Sequence, residues 1–317
     1  MRLSVLITCY RRRKYLAEAV ASALSQTLPK ERREIVVITD GVDATLAEEW
    51  RSQGVEVLER DLPGVGEMLV TGLHECHGEV VCFLDDDDAF EEGKLEAVAA
   101  EFEADSSLVL FRGGFDPVDE SGRPDERFRR ILSQPERSFT IETRQISGPE
   151  RARIVRTRAY GNLSTQCVRR DALVARADGL AHVEAATDAS VATLMLDVDG
   201  RHRFDSRRLT RRRVGTSQRS LGKSGEADRA IRTFAYLRSQ AVSPAAQWYA
   251  EMMLSWARVD RFLNAEGDDL TFSEWLSYVR LHLPRMDAAT WEAEAWSLAK
   301  MFWPKVAAAA YASRSSH

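Results

Sequence analysis

The chain has 317 residues, 44% of them apolar and 29% charged, which excludes a disordered chain and leaves enough apolar side chains for a packed core. Its formal net charge of −5 argues against nucleic acid as a partner, because neutralising phosphates takes a basic excess. No apolar run approaches the roughly 18 residues of a membrane-spanning helix. The four cysteines, Cys9, Cys76, Cys82 and Cys167, form no C-x-x-C pair or zinc spacing, so a reduced, cytoplasmic protein is expected, with peripheral membrane contact left open.

Strands and helices alternate over the first 115 residues. Leu3–Thr8 (LSVLIT) is a near-continuous apolar run, the pattern of a strand buried on both faces. Residues 13–28 carry apolar positions at helical spacing. Glu34–Thr39 is a second strand, Asp43 can cap a helix through Gln53, and Val55–Glu59 is a third strand. The loop Leu62–Gly66 leads into a helix through Cys76. Val80–Leu84 is a fourth strand that runs straight into Asp85-Asp86-Asp87-Asp88. A helix over 93–103 and a strand at Leu108–Arg112 follow. This alternation implies a Rossmann-like, mostly parallel sheet with helices on both faces. Ligands in such sheets bind at the carboxyl ends of the strands. Three strand ends there carry useful chemistry: Thr8-Cys9-Tyr10, Thr39-Asp40-Gly41 and the four aspartates.

Residues 116–158 hold four prolines among many charges and read as an irregular insertion. A strand at Asn162–Val168, helices over 170–177 and 187–197, and a strand over 202–214 come next. Gly215–Gly225 (GTSQRSLGKSG) reads as a flexible loop that can close over a ligand. Beyond it strand signals vanish, and four helices are expected near 226–240, 244–264, 273–283 and 288–312. Six of the seven tryptophans lie in this part. They are read as the core of a small bundle, with an aromatic platform for an acceptor, a partner or a membrane surface as the alternative, and a homo-oligomer contact left open.

Four adjacent aspartates repel one another unless they meet water or a cation. Strand alternation would point Asp85 and Asp87 the same way, and two such carboxylates can share Mn2+ or Mg2+ together with substrate phosphates. Rival motifs fail. A calcium loop beginning at Asp85 would need glycine where Phe90 stands, and no G-x-x-x-x-G-K-[ST] occurs.

The order of these pieces resembles family 2 glycosyltransferases, inverting sugar transferases of the GT-A fold. The similar stretches are SVLITCYRRRKYLAEAVASALSQT, EIVVITDG and GVGEMLVTGLHECHGEVVCFLDDDDAFEEGKLE, and a weaker likeness continues to about residue 220. The resemblance implies a nucleotide-sugar donor, most simply a UDP-sugar. Thr8, Cys9 and Tyr10 would line the nucleoside pocket, Asp40 would accept a hydrogen bond from the base, and Asp86 would lie near the ribose. Asp85 and Asp87 would be the D-x-D metal carboxylates. Asp188 would be the general base, with Glu184 the next candidate.

The sequence also departs from the family pattern. Thr39 replaces the first aspartate of the usual pair, Leu69-Val70 replaces Arg-Asn, Thr187 replaces the glutamate before Asp188, and Gly215 stands near a usual histidine. Seven arginines crowd into residues 201–213. Of these, Arg211 or Arg213 is expected to supplement the metal at the diphosphate. Net charge divides as −11 over 1–115, +7 over 116–224 and −1 over 225–317. We read these parts as a nucleotide-sugar-binding half, an acceptor-side half and a Trp-rich helical region. The acceptor (glycan, lipid-linked sugar, peptide or natural product) is left open. The rival activities are a nucleotidyltransferase and a non-catalytic scaffold on the same fold.

Overall fold

The computed structural model describes residues 1–131, 134–214 and 225–263. The elements in chain order are β1 (Leu3–Cys9), α1 (Leu16–Leu24), β2 (Arg33–Thr39), α2 (Ala44–Ser52), β3 (Val55–Glu59), α3 (Val65–Glu75), β4 (Val80–Asp85), β5 (Ala89–Phe90), α4 (Lys94–Ala104) and β6 (Leu108–Val118). They continue with α5 (Glu126–Ile131), β7 (Phe139–Glu142), α6 (Gly148–Arg156), β8 (Gln166–Arg169), α7 (Arg170–Val174), α8 (Ala177–Ala181), α9 (Thr187–Leu196), β9 (Arg201–Arg213), α10 (Glu226–Gln240) and α11 (Pro244–Leu263). The helices expected near 273–283 and 288–312, four of the tryptophans and the 215–224 loop lie outside the described residues.

One sheet orders the strands β3-β2-β1-β4-β8-β6-β9-β5, with β7 added on β9. The quartet β3-β2-β1-β4 is parallel throughout. β6 and β9 are also parallel, whereas β8, β5 and β7 run antiparallel to their neighbours. The apolar strands are buried on both faces, as their sequences imply. Leu3, Val5 and Ile7 of β1 pack with Val80, Cys82 and Leu84 of β4 against α1, α2 and α4. Leu6, Val81 and Phe83 face the other way, against α3 and α9. Burying each such side chain is worth about 1.5–3 kcal/mol. Phe234 and Leu237 of α10 and Tyr249, Met252 and Leu254 of α11 join this second core, so the described C-terminal helices pack on the sheet domain. Trp248 and Trp256 stand half-buried at its margin.

Two stretches differ from the sequence reading. Residues 116–158 are not irregular: β6 continues to Val118 and α5, β7 and α6 follow. Gly113 and Gly114 read as a strand end, yet here they absorb register shifts between β6 and β9. The α6 helix starts at a Ser147–Glu150 capping box with Pro149 in its first turn, a signal hidden by the surrounding charges. Second, only Gln166–Arg169 of the expected 162–168 strand is extended. Asn162 adopts φ +70°, and a single tight turn spans Leu163–Thr165.

Glu34 staples the start of three strands. It lies opposite Ser4 in the β1–β2 register, accepts from the Ser4 hydroxyl and the Gly78 N–H (2.8 Å), and meets the Arg2 guanidinium at 2.9 Å. Burial opposes its charge, but these donors and the His77 N–H prevail and hold the carboxyl below its ordinary value. The unfolded chain therefore takes up this proton first. The stabilisation is complete well above pH 4.5 and is lost as pH falls through the folded value. Urea unfolding should show Glu34→Gln less stable than wild type by about 1–3 kcal/mol at neutral pH, with the gap narrowing below pH 4.5. A gap independent of pH would contradict the charged staple.

Candidate active site

The carboxyl ends of β1 and β4, the N-terminus of α9 and the C-terminal end of β9 enclose a cleft of about 640 Å³. All four aspartates 85–88 line it, together with Tyr10, Asp188 and Arg212. The β4 strand delivers the aspartates because its own side chains are buried on both faces, so only its end reaches solvent. Alternation does not extend through them. The chain turns after Asp85, with the Asp88 N–H donating to the Asp85 carbonyl at 3.2 Å.

Each has its own partners. Arg12, from the turn after β1, donates to Asp86 at 2.7 Å and lies 2.9 Å from Asp87. Burial raises the Asp86 carboxyl to about 6 even though Arg12 works to lower it. Asp88 is 3% exposed and accepts from the Asn162 amide (2.8 Å), the Ser164 hydroxyl (2.6 Å) and the Arg213 backbone N–H (2.9 Å). Burial first, then the Asp87 charge, raises it to about 6 despite these donors. Asp85 is pushed well above the ordinary carboxyl range by burial and by the charges of Asp88, Asp87, Asp86 and Asp188. Beneath the run, the fully buried Lys94 ammonium donates to the Ser164 carbonyl and to Thr210 (3.0 Å) and sits 3.6 Å over the Phe90 ring.

Asp188 opens α9. Its carboxylate accepts from the N–H groups of Asn162 (2.8 Å) and Ala189 (2.8 Å), at the end of the helix where the dipole favours negative charge. Asn162 thus holds Asp88 with its side chain and Asp188 with its backbone. Gly66 of α3 lets this segment approach: a Cβ there would lie 2.5 Å from the Leu180 carbonyl and 2.6 Å from that of Val183. Glu184 also borders the cleft, but it is paired with Arg232 of α10, with Nε at 2.9 Å.

The other residues named from sequence separate. Tyr10 lines the cleft with Arg11 stacked on its ring at 4.7 Å. Thr8 is half-buried on β1, opposite Asp85. The Cys9 thiol is buried and donates to the Arg12 carbonyl at 2.9 Å, and burial lifts it to about 12, so it holds the turn as a neutral group. Asp40 follows the end of β2 and does not line the cleft; its carboxylate is held by Arg13 (2.9 Å) and the Arg11 N–H (3.1 Å).

The arginine expectation changes. The Arg211 guanidinium turns to Glu91, 3.6 Å away, and does not line the cleft. The Arg213 side chain is 2% exposed and is consumed by the carbonyls of Asp87, Asp119 and Glu120 and by Glu18. Arg212 and Arg213 both line the cleft, and the Arg212 guanidinium lies 5.2 Å over the Phe115 ring. The β6–β9 register shifts break the simple alternation that would have chosen between them. Arg12, Lys94, Asn162 and Ser164 were missed from sequence. A basic run one strand away from an acidic run was the available signal for Arg12.

Among the described residues, no three His, Cys, Asp or Glu side chains converge as a metal group. The donor set still fits a divalent cation that completes its shell with substrate phosphates. Asp85 and Asp87 both line the cleft, and burial, then repulsion from the neighbouring carboxylates, raises Asp85.

The model of the family described as glycosyl transferase family 2 matches residues 4–163. A poly(ribitol-phosphate) beta-N-acetylglucosaminyltransferase, TarS, of Staphylococcus aureus is 32% identical over 143 residues, 42% of this chain and 24% of that protein. An uncharacterised glycosyltransferase of Nostoc is 31% identical over 125 residues, 38% of each chain. The chain thus spans about a quarter of the staphylococcal relative's length. The solved structure of S. aureus TarS 1–349 in complex with UDP-GlcNAc aligns with TM-score 0.59 and 19% identity over 89% of this chain and 79% of that one. A Pyrobaculum calidifontis mannosyltransferase in complex with GDP-Man and Mn2+ aligns with TM-score 0.55 and 16% identity over 96% and 88%. These structural likenesses show a shared GT-A fold. The chain belongs to glycosyl transferase family 2.

Proposed function

We propose that the chain moves a sugar from a nucleotide diphosphate donor, a UDP-sugar, to an acceptor nucleophile with inversion at the anomeric carbon. The observation that carries this reading is the single cleft that joins the β4 carboxylates to Asp188. The UDP-GlcNAc complex of the staphylococcal structure makes UDP-N-acetylglucosamine the first donor to test.

The residues divide the work by charge. Tyr10 offers its ring to the nucleoside, and Asp40, just after the end of β2, accepts from the base. Asp86, held by Arg12, lies nearest this end of the aspartate run. Asp85 and Asp87 would hold Mn2+ or Mg2+, which when bound supplies Lewis-acid stabilisation of a diphosphate leaving group. We assign Arg212 to the diphosphate rather than Arg211, which lies outside the cleft, or Arg213, which borders it but whose guanidinium is held by Glu18 and backbone carbonyls. Asp188 accepts the proton of the acceptor as it attacks. Its two backbone donors, the Asn162 and Ala189 N–H groups, fix the carboxylate's orientation.

A panel of UDP-, dTDP- and GDP-sugars with divalent metal, scored by slow donor hydrolysis, tests the reading. UDP-sugars should be turned over fastest, and no hydrolysis of any donor would contradict it. Asp188→Asn should keep calorimetric UDP affinity and lose transfer by about 10²–10⁴-fold. Transfer at the wild-type rate would move the base elsewhere. Arg212→Ala should weaken UDP binding by about 10–100-fold, the worth of a charge-assisted hydrogen bond. Arg211→Ala should leave it unchanged, and the reverse pattern would return the role to Arg211.

A further inference from the structure

Five arginines of the middle third of the chain gather in a groove separate from the donor cleft. A groove of about 820 Å³ is lined by Arg129, Arg137, Arg153, Arg156 and Arg208, with Glu136 as its single acidic lining residue. Three of the guanidiniums are held in place by groups beneath them. Arg129 and Arg208 both pair with Asp116, at 2.8 Å in the case of Arg129. Arg153 lies 3.9 Å over the Phe139 ring and donates to the Arg137 carbonyl at 2.9 Å. Arg137 and Arg156 have no carboxylate partner among the described residues. Preorganised guanidiniums of this kind match oxyanions geometrically and lose little freedom on binding them.

The groove connects with the catalytic side through α6. Arg153 and Arg156 of this helix face the groove. Ile154, Val155 and Arg158 line a separate pocket of about 190 Å³ on its other side, with Tyr249, Trp256 and Asp188. The C-terminal end of α6 thus lines both the arginine groove and the pocket that holds Asp188.

We propose that this arginine-lined groove docks a polyanionic acceptor, a glycan or polyol chain bearing oxyanion groups along its length, and that the pocket beyond α6 receives the unit presented to Asp188. The proposal rests on the glycosyltransferase reading only in naming the docked chain an acceptor. Regularly spaced anions satisfy several guanidiniums at once, which a neutral glycan, an apolar lipid or a single carboxylate does not. The acidic donor end and the basic groove then divide the enzyme by charge: a nucleotide diphosphate enters with its cation, and the acceptor anion enters on arginine.

The test uses the full chain with dextran sulfate and neutral dextran as probes. Wild type should bind dextran sulfate and not dextran. The double variant Arg153→Gln/Arg156→Gln should bind it about tenfold more weakly, with the log–log salt slope reduced by about 2, roughly one per lost contact. UDP affinity and the melting temperature should stay at wild-type values. Dextran sulfate should also slow UDP-sugar hydrolysis in wild type and not in the variant, because a chain reaching Asp188 displaces the water there. Equal binding by variant and wild type would overturn the groove, and unslowed hydrolysis would overturn its path to Asp188. Tighter, variant-sensitive binding to single-stranded DNA or to phosphatidylserine vesicles would overturn the acceptor assignment in favour of those ligands. If UDP itself fails to bind wild type, the donor reading fails, whereas the dextran sulfate result still decides the groove.

Discussion

Four consecutive carboxylates at the end of a strand buried on both faces are an electrostatic liability, and much of the surrounding structure offsets it. An unpaired ion buried in a protein costs several kcal/mol. Here Arg12 comes from the β1 turn, the Arg213 N–H from β9, and Asn162 and Ser164 from the turn before β8, while Lys94 holds the Ser164 carbonyl from below. These donors lie far apart in sequence, so the aspartate run is a meeting point of the fold as well as a site. The compensation is incomplete at Asp85. Burial and the four carboxylates of Asp88, Asp87, Asp86 and Asp188 push it upward, and it lines the cleft. A cation is the group whose arrival would lower that energy.

Asn162 links this charge problem to catalysis. Its φ of +70° is rare outside glycine, and asparagine tolerates it better than most residues. That conformation lets one residue donate to Asp88 through its side chain and to Asp188 through its backbone. Ala186, just before α9, is also at positive φ, +53°. Two left-handed residues thus flank the proposed base, a strain that the packed α9 core sustains. Gly66 adds the close approach of α3 to the 180–183 carbonyls from the opposite wall. Asp88 and Asp188 are thus tied to each other through Asn162.

The sequence shows the parallel quartet plainly, because strands buried on both faces read as unbroken apolar runs and Asp43 announces its helix. It shows the aspartates, Tyr10 and Asp188 as members of one cleft through their motif order. Side-chain direction beyond regular structure was not legible. Alternation placed Asp85 and Asp87 on one side, but the chain turns there. The choice among Arg211, Arg212 and Arg213 depended on register shifts at Gly113 and Gly114 that no local pattern reveals. The α6 helix was legible from Ser147-Gly148-Pro149-Glu150, and density of proline and charge obscured it. Its C-terminal end lines both the basic groove and the pocket at Asp188.

We propose that the repelling carboxylates form a cation-dependent site for the donor diphosphate, and calorimetric titration of UDP into wild type and Asp85→Asn, each with Mn2+ and with chelator, decides it. Wild type should bind UDP tighter by about tenfold or more with Mn2+. Asp85→Asn should lose that gain, and in chelator it should bind UDP more tightly than wild type, because one repelling carboxylate is gone. Equal UDP affinity for wild type with and without the metal would contradict the account.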